Sequence, residues 1–100
     1  MSDKHPNELV VPPIAASDPK ARELLRVWAA KGKQHITLAT GLWEDPASWG
    51  IMLVDLMKHL SDAYHQTRGD EKHSVLLRIK RGFDAEWLKA TDEPKGGLLE

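Results

Sequence analysis

The sequence predicts an α+β fold of two short strands and three helices, in the order β-α-β-α-α. Three observations point to it. Two Asp-Pro dipeptides each precede an apolar run, one stretch alternates with period two, and three stretches carry apolar residues at three- and four-residue spacing. With 100 residues, 41% hydrophobic and 29% charged, the chain has the balance of one ordinary folded domain.

Met1 to Pro6 is polar and without period, and is expected to be disordered. Leu9, Val10 and Val11 form a short β-branched run that Pro12 and Pro13 stop, which predicts the first strand. Ser17-Asp18-Pro19 is a helix start, with Asp18 to cap and Pro19 at the first helical position. Ala21, Leu24, Leu25 and Trp28 give one stripe and Gly32 a stop, so the first helix is predicted over Pro19 to Lys31. From Gln34 to Thr40 the period is two. Ile36 and Leu38 point one way and His35, Thr37 and Ala39 the other, which predicts the second strand. A helical crossover between the strands would pair them in parallel.

Asp45-Pro46 repeats the helix start, and the second helix is predicted over Pro46 to Thr67. Its apolar residues, among them Trp49, Met52, Leu53, Leu56, Met57 and Leu60, cover more than half of the circumference. A stripe that wide must touch more than one neighbour, so this helix is expected at the centre of the fold. Gly69-Asp70 combines a stop with a new cap, the joint of a helical hairpin. Leu76, Ile79, Phe83, Trp87 and Ala90 keep one phase, which predicts a third helix over Glu71 to Ala90, continuous across Gly82. Residues 91–100 read as a flexible tail whose Leu99-Glu100 resembles a tag remnant, leaving 7–90 as the folded domain.

Composition excludes several functions. The absence of cysteine rules out disulfides, cysteine zinc sites and thiol catalysis. A net charge of −1 argues against a nucleic-acid binder driven by bulk charge. There is no apolar run of about 20 residues to cross a bilayer and no secretory leader, so a cytoplasmic protein without membrane or nucleic-acid partners is expected.

Asn7-Glu8-Leu9-Val10-Val11-Pro12-Pro13, the stretch Asp18 to Trp28, Gly41-Leu42-Trp43, Trp49-Gly50 and Gly82-Phe83-Asp84-Ala85-Glu86-Trp87 resemble a family of short bacterial proteins known only as a domain of unknown function. The resemblance spans roughly residues 7 to 93. It implies a bacterial, cytoplasmic, single-domain protein, and it brings no activity, cofactor or catalytic residue with it.

The candidate sites are few. Asp55, His59, Asp62 and Gln66 share one face of the second helix at metal-ligand spacing, but no second segment offers a further ligand, so a solvated face and no metal are expected. Arg78, Lys80 and Arg81 lack interleaved aromatics and are diluted by Asp84 and Glu86, which reads as solvated helix surface. Trp28, Trp49 and Trp87 fall on core stripes, while Trp43, in a loop, is expected to cover the start of the second helix. No phosphate loop, nucleophile elbow or paired-histidine zinc motif occurs, and no cofactor is expected.

Two functions from different classes follow. The first is a small interaction or adaptor module acting as a homodimer, with or without a further protein partner. The strand Gln34 to Thr40 has at most one partner in the chain, and Leu77 and Leu88 form an apolar spot facing away from the core stripe of their helix. Ile36, Thr37, Leu38, Leu77 and Leu88 are the candidate dimer contacts, and a second copy would complete the sheet. The alternative is a small-molecule-binding domain or minor enzyme with a groove near Trp43, using His35 or His59.

Overall fold

A computed structural model describes residues 4–89. Its elements are α1 (Pro13–Ala16), β1 (Leu25–Ala30), β2 (Lys33–Leu38), α2 (Ala47–Arg68) and α3 (Lys72–Leu88). The class is α+β with two strands and three helices, as expected, but the order is α-β-β-α-α. The chain divides into two compact units, one up to Ala39 and one from Thr40 onward.

The first unit is built on a β-hairpin. β1 pairs with β2 in antiparallel register, with Val27 opposite Ile36 and Trp28 opposite His35. This corrects three expectations. Leu9 to Val11 is not a strand; after it Pro13 opens the single turn of α1. The segment predicted as a helix over Pro19 to Lys31 ends in β1, and the strands meet directly rather than through a crossover. The turn explains the difference. Lys31 and Gly32 have φ of 53° and 75°, and two consecutive positive φ values belong to the tight hairpin turn whose twist matches paired strands. Gly32 therefore closes a hairpin and does not end a helix. Asp18 caps no helix either; its Oδ1 accepts the Lys20 N–H at 2.9 Å in a local turn.

The hairpin has two unlike faces. Leu25, Val27 and Ala29 share one with Ile36 and Leu38, and it is wholly apolar apart from Gln34. Val27 and Leu38 are about half exposed. The other face carries Arg26 and Trp28. The His5 ring meets Trp28 edge-on at 4.9 Å, so the polar N-terminal segment is anchored at His5, while Met1 to Asp3 lie outside the described residues.

The second unit is a helical hairpin. Asp45 Oδ1 accepts the Ala47 N–H at 2.9 Å and starts α2 where the Asp-Pro dipeptide placed it. Gly69, at φ 75°, ends the helix in the left-handed conformation and donates its N–H to His65 O at 2.8 Å. The next cap is Glu71, not the expected Asp70: its carboxylate accepts the N–H groups of His73 and Ser74 at 2.9 and 3.0 Å. α3 runs unbroken through Gly82, and Ala90 with the predicted tail lies outside the described residues. The two helices pack antiparallel, with Ser61 of α2 only 3% exposed.

Candidate functional site

Trp43 sits before the first turn of α2 and meets Trp49 edge-on at 4.8 Å, both rings half-buried. This is the covering role expected of it. His59 lies three turns further along α2, exposed. His35 belongs to the first unit, where its Nε2 lies 3.2 Å from Ala30 O. Of the histidine and carboxylate set on α2, Asp62 is engaged by Lys72 at 3.3 Å. Among the described residues no three His, Asp or Glu side chains converge as metal ligands. In the basic cluster, Lys80 pairs with Asp84 at 2.8 Å within its own helix.

Trp87 departs from its expected place on a core stripe. Stacked on Phe83 at 5.9 Å, it is 69% exposed. Leu77 and Leu88 are 52% and 78% exposed, and β2 has one strand partner among the described residues. The edge and the apolar spot singled out in the sequence are thus both open. Ile36 is half-buried on the apolar sheet face with Leu38, and Thr37 shares the face of Arg26.

The first unit holds a groove of about 470 Å³ that sequence reasoning missed. The extended run Leu9 to Val11 forms one side and β1 the other, with Val27 and Trp28 on its wall. Arg26 lies between two carboxylates, 3.0 Å from Glu23 and 3.4 Å from Glu8. The hydrogen bond and charge of Glu23 first, then Glu8, hold the guanidinium proton more firmly than usual. The spacing of Glu23 and Arg26 fits a helix as well as this turn, so only the hairpin reveals the groove.

What these elements share is apolar surface in excess of what a hairpin can cover. Neither a two-stranded sheet nor a two-helix hairpin encloses a core by itself, and among the described residues no apolar side chain is fully buried. The class is a small α+β protein with exposed apolar side chains on both of its units. Residues 8–91 match the family described as Domain of unknown function (DUF5076), and the chain belongs to that family. No curated protein matches the sequence. The chain is similar to a solved structure described as "Structure of a putative pyruvate dehydrogenase from the photosynthetic bacterium Rhodopseudomonas palustrus CGA009". That likeness has 28% identity and a TM-score of 0.71, over 98% of this chain and 100% of the other. Among the described residues no helix is long and apolar enough to cross a membrane.

Proposed function

We propose that the protein is a small interaction module of the bacterial cytoplasm that acts as a homodimer. The observation that carries this reading is the open apolar surface on both units: the sheet face of Val27 and Leu38, and Leu77, Phe83, Trp87 and Leu88 on α3. Exposed apolar patches larger than a few hundred Å² mark interaction sites in folded proteins. A twofold axis would use the same patch on both copies. The edge of β2 supports the same reading: among the described residues the strand has one partner, and it carries no proline and one charge, Lys33 at its start. Sedimentation at micromolar concentration is expected to give about 22 kDa, twice 11.2 kDa. Thr37→Pro disrupts the pairing of Thr37 with Arg26 and is expected to destabilise the hairpin itself. A wild-type monomer across that concentration range would overturn the reading.

The second reading is a small-molecule site at Trp43, favoured by the part of the Trp43 ring left open. A ligand there would change the fluorescence of Trp43, and Trp43→Phe would abolish that change.

A further inference from the structure

We infer that the homodimer is held by an antiparallel pairing of α2 with α2 of the second copy, making a four-helix bundle. The inference rests on the homodimer reading and locates its interface. At 100° per residue α2 carries two adjacent apolar seams. Gly50, Val54, Met57, Ser61 and Tyr64 form one, at spacings of four and three. It contains Ser61, the one buried side chain of α2, and the half-buried Met57, which places it toward α3, while Val54 and Tyr64 at its margins keep 48% and 40% of their surface open. Trp49, Leu53, Leu56, Leu60, Ala63 and Thr67 form the other at the same spacing. Along it Leu53, Leu56 and Leu60 keep 44%, 45% and 40% of their surface open.

Alternating spacings of four and three over nearly three heptads are the signature of packing against another helix, since each knob needs a hole made by four residues of a facing helix. Among the described residues the chain has one other helix longer than a single turn, α3, and it already occupies the first seam. The helix that fits the second seam therefore comes from another molecule. The seam itself identifies that molecule as a second copy. Laid antiparallel about a twofold axis near Lys58, Leu56 meets Leu60, Leu53 meets Ala63 and Trp49 meets Thr67, so large side chains face small ones at both ends. The flanking positions are Met52, His59 and Gln66 on one side and Gly50, Met57 and Tyr64 on the other, without a lysine, arginine or carboxylate. Asp55, Lys58, Asp62 and His65 all lie on the opposite side of the helix. Interface cores are depleted of charge in this way.

The chain has no cysteine, so single substitutions place one unique thiol per copy. In this pairing His59 lies beside its own counterpart across the axis. His59→Cys, oxidised or treated with a short bis-maleimide at micromolar concentration, is expected to run as a covalent dimer. Lys58→Cys, one residue away on the opposite face, is expected to remain monomeric on the gel. Leu56→Glu is expected to give a monomer by sedimentation. If Leu56→Glu unfolds, the crosslinking result alone decides. A wild type that sediments as a dimer while His59→Cys fails to crosslink overturns the seam and leaves the homodimer standing. Crosslinking of Thr37→Cys or Leu77→Cys would then place the interface at β2 or α3. A wild type that sediments as a monomer overturns both.

Discussion

Glu71 shows how one side chain sets an element boundary. Its carboxylate takes the Ser74 hydroxyl at 2.8 Å and the N–H groups of His73 and Ser74. These bonds, the Ser74 hydroxyl first, hold its pKa below the usual carboxylate range. The sign is that of a depressed acid: the cap stabilises α3 above the ordinary glutamate value, near about 4.3, and is lost as pH falls through the lower folded value. In Ser74→Ala the Glu71 pKa, followed by side-chain carboxyl NMR, is expected to rise toward the ordinary value. An unchanged titration would mean that the backbone bonds alone set it. Neighbouring Asp70 looks equally suited to capping in the sequence. The choice falls on Glu71 because Asp70 faces Arg68 at 3.2 Å and its carbonyl bonds His65 Nδ1 at 2.8 Å. Residues with one strong local use, such as Asp45 and Gly69, are legible in sequence. Residues with two competing uses are not.

The same distinction governs whole elements. α2 and α3 were readable because a periodic run of 17 or 22 residues admits no alternative period. β1 was not, because Ala21, Leu24, Leu25 and Trp28 satisfy helical spacing while Leu25, Val27 and Ala29 satisfy the strand's. The window is too short for either to win. Lys31-Gly32 decides it, and lysine rarely advertises a positive φ. Lys31→Asn gives the residue pair such turns prefer and is expected to stabilise the hairpin by on the order of 0.5–1 kcal/mol. Gly32→Ala is expected to cost about 1–2 kcal/mol. Thermal melts of the two variants test this; equal shifts would contradict the turn. The width of the α2 stripe announces a second neighbour without naming it. Truncating an enclosed leucine to alanine costs about 2–5 kcal/mol, whereas Leu56 is 45% exposed. Leu56→Ala therefore reaches that range only where the open seam is covered. Denaturant melts at high and low protein concentration are expected to show a larger loss at the high one, and Lys58→Ala a loss under about 0.5 kcal/mol at both.

For the whole molecule, the proposed homodimer makes folding and association one equilibrium. A two-stranded sheet is marginal in water, and a helical hairpin leaves one seam of α2 open. In the proposed homodimer, covering that seam adds stability only where two copies meet, so the melting temperature depends on concentration. The size of the dependence follows from general scales. Two chains of 100 residues unfold with an entropy of about 420 cal/mol/K at about 2.1 cal/mol/K per residue. A tenfold change in concentration changes the free energy of association by about 1.4 kcal/mol. The ratio is a shift of about 3 °C per tenfold dilution, or 6–7 °C across a hundredfold. Calorimetry over that range is expected to show the shift in the wild type and in Lys58→Ala. Leu56→Glu, with the seam charged, is expected to melt lower and at a temperature independent of concentration. A wild-type melting temperature that stays constant on dilution would mean that each chain covers its own apolar faces, and the dimer would have to be abandoned.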